Sequence, residues 1–284
     1  MEGSFIWRGK RPWSGRLARP ADASRARGTA VFVHGGGVGS GYFDGGSVPE
    51  LSLLTQFADA GFIALAPDRP GYGETPEFDA LRLIDHAEWL AEFVGSLELA
   101  DGSPLFLLGH SLGSMVATAA TTILDRVDGL AISGVSAAYQ PERIPDVTAT
   151  NGPRLSSDLW WGDLRLYPHS NLQSKRSVVF PVTKADRAVA PNWPEDVKLF
   201  APRCRVPVQV SIGDADQWWV GGTLGLDALA AQFSAAPWVD RYLIDSSSHN
   251  TSLGWTARSY GFRALSFFEN VIAWRRGADD PADG

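Results

Sequence analysis

The pattern Gly-x-Ser-x-Gly at residues 109–113 could supply a nucleophile. The apolar run 105–108 is typical of a buried β-strand, and a helical pattern begins at Leu112, directly after Ser111. So tight a turn from strand to helix strains the serine backbone, and the two flanking glycines remove collisions with neighbouring elements. The helix would also direct its first amides toward developing negative charge. A helix start merely capped by Ser111 has a similar composition, but the strand before it favours an activated serine.

An activated serine needs a histidine within hydrogen-bonding distance to accept its proton. The chain contains five candidates, which are His34, His86, His110, His169 and His249. His249 lies in a polar loop, 245–250, between the last predicted strand and the final predicted helix. Such a loop lies at the carboxyl edge of a parallel sheet, the same edge as Ser111. We therefore predict that His249 is the base, and that His86 lies on an outer face of its helix.

A carboxylate must hold the imidazole in the correct tautomer and stabilise its charged form. Two aspartates compete, because the predicted strand 206–212 is followed by Gly213, Asp214, Ala215 and Asp216. An acid three residues past its glycine extends over the sheet edge, which favours Asp216, whereas Asp214 is better placed to cap the turn. The loop after the predicted strand 129–132 has no carboxylate nearby. Asp216 is therefore the predicted acid, with Asp214 as the alternative.

A run of three glycines follows His34, at the end of the first buried strand. Acyl transfer passes through a tetrahedral oxyanion, which backbone N–H groups stabilise when the chain approaches closely enough. We assign one donor to the amide of Gly36 or Gly37, with Gly36 preferred, and the other to Leu112. A phosphate-binding loop is excluded because neither G-x-G-x-x-G before a helix nor Gly-Lys-Ser/Thr occurs here. His34 is expected to brace the loop.

Short apolar runs alternate with longer helical patterns, which predicts a mostly parallel sheet with helices on both faces. After a hairpin at 4–18, the predicted strands are 29–33, 62–66, 105–108, 129–132, 206–212 and 238–244. The predicted helices are 49–60, 79–98, 112–124, 223–234 and 257–275, and residues 277–284 are expected to fray. Residues 137–202 are rich in Pro and Trp and lack regular periodicity, which indicates an insertion between two core strands.

The composition of the 284 residues, 44% hydrophobic and 20% charged, fits one large α/β domain. A net charge of -7 argues against a nucleic-acid partner. Cys204 is the only cysteine, so neither an intrachain disulfide nor a thiolate metal cluster can form. No stretch approaches the roughly 20 apolar residues that span a bilayer, and the N-terminus lacks the apolar core of a signal peptide. We therefore expect a cytoplasmic protein with no metal or other cofactor.

These motifs resemble the α/β-hydrolase family over nearly the whole chain, from about Thr29 to Trp274. The order of Ser111, Asp216 and His249 is that of the family, and residues 68–73 (Asp-Arg-Pro-Gly-Tyr-Gly) look like its turn after the fourth strand. The resemblance implies an eight-stranded, mostly parallel sheet with a cap inserted after strand six. The core would comprise residues 1–136 and 203–284, and the cap residues 137–202.

Aromatic residues of the cap would line or roof a substrate pocket, since apolar concave sites commonly bind small molecules. Together with two tryptophans beside the acid, the predicted substrate-binding residues are Trp160, Trp161, Trp193, Trp218 and Trp219, and Tyr167 and Phe180 are further candidates. Anchoring of the cap on the core is an equally good explanation for each cap aromatic. Trp218 and Trp219 are better placed to contact substrate.

The sequence thus predicts a serine hydrolase that cleaves an ester, lactone or thioester of a small to medium apolar substrate through an acyl-enzyme at Ser111. The partner would be this acyl compound, and the sequence allows a monomer or a homo-oligomer. The same residues could instead perform C–C bond hydrolysis, a lyase step or acyl transfer. A non-catalytic binding protein is disfavoured because nucleophile, acid and base are all retained.

Overall fold

The computed structural model describes residues 2–8, 12–77, 82–148, 157–173 and 178–279. Its centre is one eight-stranded sheet of order β1-β2-β4-β3-β5-β6-β7-β8. The strands are β1 (Glu2–Arg8), β2 (Pro12–Ala18), β3 (Gly28–Val33), β4 (Phe62–Pro67), β5 (Leu105–His110), β6 (Gly129–Ser133), β7 (Val208–Gly213) and β8 (Val239–Ile244). β2 runs antiparallel to both of its neighbours, β1 and β4, while β3 to β8 pair in parallel. The predicted mostly parallel eight-stranded sheet is confirmed.

Ten α-helices accompany the sheet in the described part of the chain. They are α1 (Leu53–Asp59), α2 (Leu83–Gly95), α3 (Leu112–Ala120), α4 (Ile144–Thr148), α5 (Ser157–Trp161), α6 (His169–Gln173), α7 (Lys184–Val189), α8 (Trp193–Phe200), α9 (Gly222–Ala230) and α10 (Ala257–Asp279). Among them, none is long and apolar enough to cross a membrane.

The core consists of two hydrophobic clusters, because alternate residues of a strand point to opposite faces of the sheet. The first cluster joins α2, α3, α8 and α9 to sheet residues such as Val31, Val33, Leu105 and Leu107. The second joins α1 and α10 to Ala30, Phe32, Phe106 and Leu108. β3, β5, β6 and β7 are buried along their whole length, which explains their continuous apolar sequences. Helices therefore cover both faces, as predicted.

Three predictions about helices need correction. The predicted helix 49–60 is divided into a 3₁₀ turn, Pro49–Leu51, and α1, because the Ser52 side chain accepts the Thr55 amide and caps the second segment. α10 continues to Asp279, beyond its predicted end at residue 275, and residues 280–284 of the predicted frayed end lie outside the described ranges. His86 is buried, not on an outer face, because it shares the 3- and 4-residue spacing of the apolar face of α2. The predicted start of α2, at residues 79–81, lies outside the described ranges.

The chain between β6 and β7 forms α4 to α8 with short 3₁₀ turns. Hydrogen bonds join this part to the rest of the molecule: the Phe180 amide donates to the Gly37 carbonyl (2.9 Å) and Asn171 Nδ2 donates to the Leu253 carbonyl (2.9 Å). This is where the sequence predicts a cap, and the exact division between core and cap stays a prediction.

Candidate active site

The loops after β3, β5, β7 and β8 meet at the carboxyl edge of the sheet, where doubly wound α/β proteins bind their ligands. The loop after β3 carries the glycine run 35–37, and Ser111 directly follows β5. Asp216 follows β7, and His249 follows β8. Parallel strand pairing therefore brings four distant segments to one place.

Ser111 occupies the turn between β5 and α3 with φ 51° and ψ -125°, a conformation that L-residues rarely adopt. The flanking glycines are required by space. A Cβ on Gly109 would lie 2.6 Å from Ser114 Cα, and one on Gly113 only 1.9 Å from the Val33 carbonyl oxygen. The Ser111 amide donates to the Ser133 carbonyl at 2.8 Å, which ties the strained turn to β6.

Ser111, His249 and Asp216 form a continuous hydrogen-bonded series. His249 Nε2 lies 3.0 Å from Ser111 Oγ, and His249 Nδ1 lies 2.8 Å from Asp216 Oδ2. Because a carboxylate only accepts hydrogen bonds, Nδ1 carries the imidazole proton and Nε2 presents its lone pair to the serine hydroxyl. The second carboxylate oxygen, Oδ1, accepts the Trp218 amide at 2.9 Å, which fixes the orientation of the acid.

Asp214, the competing carboxylate, has different partners. Its two oxygens accept the amides of Ser246 and Ser247, both at 3.0 Å. Asp214 thus holds the turn after β8 in place, and its side chain does not contact His249. The structure brings Asp216, not Asp214, to the imidazole.

The amides around Ser111 Oγ differ in their availability. Gly37 N donates to Tyr72 Oη at 2.7 Å and is therefore committed. Among the described residues, the amides of Gly36 and Leu112 donate no hydrogen bond, and both residues line the cavity that contains Ser111. A Cβ added to Gly36 would lie 3.8 Å from Leu112 Cδ1, so the two segments are adjacent. The amides of Gly36 and Leu112 are thus both unengaged beside the cavity, whereas the Gly37 amide is already used, and the role of the pair at an oxyanion stays a prediction.

His34 braces the glycine run. Its Nδ1 lies 2.8 Å from the Gly35 carbonyl oxygen, and its Nε2 accepts the Arg69 amide at 2.8 Å. Burial lowers the pKa of His34 to about 4, so its ring is neutral near pH 7 and donates through Nδ1. His34 thus holds the loop and does not face the reacting atoms.

The sequence did not reveal Asp186 of α7 as part of this region. Its carboxylate is fully buried against the Arg69 guanidinium, with Nη1 2.7 Å from Oδ1. Burial alone would raise the pKa of Asp186, but the charge and hydrogen bonds of Arg69 outweigh it and lower that pKa. No sequence pattern relates residues 117 positions apart; the only signal was the Asp-Arg-Pro-Gly-Tyr-Gly turn that contains Arg69 and Tyr72.

A cavity of about 240 Å³ opens beside Ser111 and His249. Three of the predicted tryptophans line it, namely Trp160, Trp218 and Trp219. The wall also contains residues that the sequence analysis did not indicate, among them Met115 and Tyr139. Met115 lies about one helical turn beyond Ser111 on α3, a spacing that could have indicated it.

The prediction that Trp161 and Trp193 line the pocket is not supported by their positions. Trp161 packs edge-on against Tyr167, with ring centroids 5.0 Å apart, inside the second hydrophobic cluster. Trp193 is fully buried in the first cluster, with its Nε1 bonded to the Ser136 carbonyl. Phe180 lies edge-on to Tyr72 at 6.0 Å. Trp161, Tyr167 and Trp193 thus bury apolar surface in the core, and Phe180 packs on the loop after β4.

The sequence matches the model of the alpha/beta hydrolase family over residues 30–253. A search of curated protein sequences found no match. Among solved structures, an N-acyl homoserine lactonase complexed with N-hexanoyl homoserine lactone superposes with a TM-score of 0.70 and 13% identity, covering 95% of this chain and 98% of the other. A highly thermostable carboxyl esterase from Bacillus coagulans superposes with a TM-score of 0.69 and 17% identity, covering 95% of this chain and 99% of the esterase. The thioesterase domain from the curacin biosynthetic pathway superposes with a TM-score of 0.65 and 15% identity, covering 93% of this chain and 99% of that domain. At these identities the likeness concerns the fold alone.

Proposed function

Since this chain belongs to the alpha/beta hydrolase family, we propose that it is a serine hydrolase that cleaves a carboxylic ester, lactone or thioester through an acyl-enzyme at Ser111. The observation that carries the proposal is the series Asp216–His249–Ser111, with distances of 2.8 and 3.0 Å, at the base of an open cavity. Esterases, a lactonase and a thioesterase among proteins of similar fold are consistent with acyl chemistry.

In the acylation step, His249 Nε2 takes the proton of the Ser111 hydroxyl while Oγ bonds to the carbonyl carbon. The carbonyl π pair moves to the oxygen, and the amides of Gly36 and Leu112 stabilise the resulting oxyanion. When the tetrahedral intermediate collapses, the bond to the leaving group breaks. His249 Nε2 returns its proton to the leaving oxygen or sulfur, and the acyl group stays on Ser111. The alcohol or thiol of an ester or thioester departs, whereas the hydroxyl of an opened lactone remains part of the acyl group.

In the deacylation step, water takes the position of the leaving group. His249 Nε2 accepts one of its protons while the water oxygen attacks the acyl carbon. The intermediate then expels Ser111 Oγ, which recovers a proton from His249, and a carboxylic acid is released. Asp216 stays ionised throughout and stabilises the imidazolium in both steps.

The walls of the cavity support an acyl group that is small to medium in size and largely apolar. Met115, Trp160 and Trp218 contribute apolar surface, and a volume of about 240 Å³ lies below the range usual for drug-sized ligands. We therefore assign short- and medium-chain acyl compounds as the substrate class.

A fluorophosphonate probe tests the central claim, because it reacts only with an activated serine. We expect mass spectrometry of the labelled protein to find the phosphonyl group on Ser111, and the His249→Ala variant to stay unlabelled. Failure to label the folded wild-type protein would contradict an activated Ser111. Labelling that persists in the His249→Ala variant would remove His249 as the base.

Product analysis in ¹⁸O-labelled water distinguishes hydrolysis from the other reactions that these residues could perform. A panel of p-nitrophenyl esters, lactones and acyl thioesters should yield carboxylic acids that carry one ¹⁸O atom from the solvent. Products without ¹⁸O would contradict hydrolysis and would favour lyase or acyl-transfer chemistry. Ligand binding without turnover across the whole panel would favour a binding protein.

A further inference from the structure

The polar groups on either side of the Gly36 amide are held by three buried side chains, Arg69, Tyr72 and Asp186, which we call the Arg69 cluster. On the basis of the function proposed above, we propose that Asp186 is a positioning residue for the oxyanion. Through Arg69 and Tyr72 it fixes the peptide groups that orient the Gly36 N–H. This role belongs to α7, in the segment between β6 and β7, and not to the sheet that carries Ser111.

Arg69 holds the first half of the glycine loop. Its Nε donates to the His34 carbonyl at 2.8 Å, and its Nη2 donates to the Gly35 carbonyl at 2.9 Å. The opposite side of the guanidinium makes a bidentate pair with Asp186, at 2.7 Å from Nη1 to Oδ1 and 2.9 Å from Nη2 to Oδ2. Because the guanidinium is planar and rigid, its orientation toward Asp186 also sets where it meets the two carbonyls.

Tyr72 holds the second half of the loop. Its hydroxyl oxygen accepts the Gly37 amide at 2.7 Å and lies 2.5 Å from Asp186 Oδ2. A hydroxyl has one proton, and a carboxylate can only accept, so the Tyr72 proton is directed to Asp186. The lone pairs of the hydroxyl therefore face the Gly37 amide. Asp186 thus determines the direction of the bond that Tyr72 makes to the loop.

These contacts account for the groups on both sides of Gly36. The carbonyls of His34 and Gly35 and the amide of Gly37 are engaged by the Arg69 cluster, while the Gly36 amide stays available at the cavity. Asp186 Oδ2 would lie only 3.2 Å from a Cβ on Gly36, so the carboxylate packs directly against this residue. The arrangement leaves the loop few alternative positions for that N–H, which is the condition for pre-organised stabilisation of an oxyanion.

The burial of the cluster supports positioning rather than stability as its purpose. The side chains of Arg69 and Asp186 both have 0% exposure. Moving two charges out of water costs about as much as their attraction returns, so a buried ion pair is weak evidence of net stabilisation. Such a pair does fix geometry, because each partner has a single arrangement that satisfies all its hydrogen bonds.

The Tyr72→Phe variant tests this role, because it removes the hydroxyl and leaves the ion pair of Arg69 and Asp186 intact. With p-nitrophenyl butyrate as substrate, we expect kcat to fall about 10- to 100-fold with KM changed less than about 3-fold. An alkyl trifluoromethyl ketone forms an oxyanion with Ser111, and its inhibition constant should rise in parallel with the loss of kcat.

Tyr42→Phe is the matched control. Its hydroxyl is also buried and also accepts a backbone amide, that of Ser252 at 3.3 Å, but it does not contact the glycine loop. We expect this variant to lose comparable thermal stability and to keep its kcat. Asp186→Asn should lower kcat further than Tyr72→Phe, and circular dichroism shows whether the variant is folded.

Failure of the proposed function and failure of the positioning role of Asp186 give different experimental results. If the wild-type protein is not labelled at Ser111 and does not hydrolyse the ester panel, the proposed function fails. If the wild-type protein hydrolyses p-nitrophenyl butyrate, but Tyr72→Phe has the kcat and the trifluoromethyl ketone affinity of the Tyr42→Phe control, the positioning role of Asp186 is overturned. A fall in kcat without any loss of ketone affinity would also overturn it, since the oxyanion would then be unaffected.

Discussion

Asp214 and Asp216 lie two positions apart in one loop and have different partners. Asp216 accepts His249 Nδ1 and the Trp218 amide, whereas Asp214 accepts two amides of the loop after β8. Within this short turn, the Asp216 side chain points toward the imidazole, and the Asp214 side chain points toward the backbone of the neighbouring loop. The difference between the two residues is therefore open to direct test.

Asp216→Asn should reduce kcat by about 1,000-fold or more, because an amide in place of the carboxylate favours the wrong tautomer of His249 and does not stabilise its charged form. Asp214→Asn should leave kcat nearly unchanged and lower the free energy of unfolding by about 1 kcal/mol, since one of its two amide partners is lost. Steady-state kinetics and urea unfolding of both variants check this. The reverse pattern would make Asp214 the acid.

The stability of the protein should decrease as the pH falls from about 6.5 to about 4. Burial lowers the pKa of His34 from 6.5 to about 4, and it also lowers that of His110. Between pH 6.5 and about pH 4, His34 is protonated in the unfolded chain but neutral in the folded one, so acid favours unfolding. His34 alone would contribute on the order of 3 kcal/mol over the full interval.

Urea unfolding at several pH values measures this dependence. A His34→Gln variant should show a smaller change with pH than the wild-type protein, because the group that titrates on unfolding is absent. A wild-type free energy of unfolding that stays constant across this interval would contradict a neutral, buried His34.

At the scale of secondary-structure elements, the turn from β5 into α3 depends on how closely α3 approaches β3. The distance of 1.9 Å between a Cβ on Gly113 and the Val33 carbonyl oxygen leaves no room for any side chain. The glycine is therefore needed for packing of helix against strand, and this packing in turn holds Ser111 in its strained conformation.

Gly113→Ala should destabilise the fold by about 3 kcal/mol, because the methyl group forces α3 away from β3. Gly95→Ala provides the matched control, since Gly95 is the last residue of α2 and a Cβ there would meet no atom within 4 Å. The control should be neutral or more stable by up to about 1 kcal/mol. Thermal and urea unfolding of both variants measure the difference, and equal effects would contradict the close approach.

At the scale of the whole molecule, the cavity is assembled from separate parts of the chain. Leu112 and Met115 come from α3, Trp218 from the loop after β7, and Val182 and Ala190 from the segment between β6 and β7. The size of the acyl pocket is therefore a property of how that segment packs on the sheet.

Ala190→Leu should shorten the preferred acyl chain, because the added carbons would occupy part of the cavity that Ala190 lines. The ratio of kcat/KM for p-nitrophenyl octanoate to that for the acetate should fall by about 10-fold or more. Ala188→Leu, on neighbouring α7 but not at the cavity, should keep the wild-type ratio. An unchanged ratio in Ala190→Leu would contradict the assignment of this cavity to the acyl group.

The sequence by itself determined the fold class and the order of the functional segments. The spacing of apolar residues, every second residue in a strand and every third or fourth in a helix, is a local property, so the sheet and its flanking helices could be predicted. The glycine pair around Ser111 is also local, so the strained turn could be predicted as well. His249 and Asp216 were predicted because both follow strands whose ends must meet at one edge of a parallel sheet.

Only the tertiary structure decided which groups of similar type face the cavity. Tyr72 engages the amide of Gly37 and leaves that of Gly36 available, and Asp186 joins the glycine loop from α7. Trp161 and Trp193 pack in the core although Trp160 lines the cavity. The physical reason is that these contacts connect residues far apart in the chain, and their geometry follows from packing, which leaves no periodic signal in the sequence.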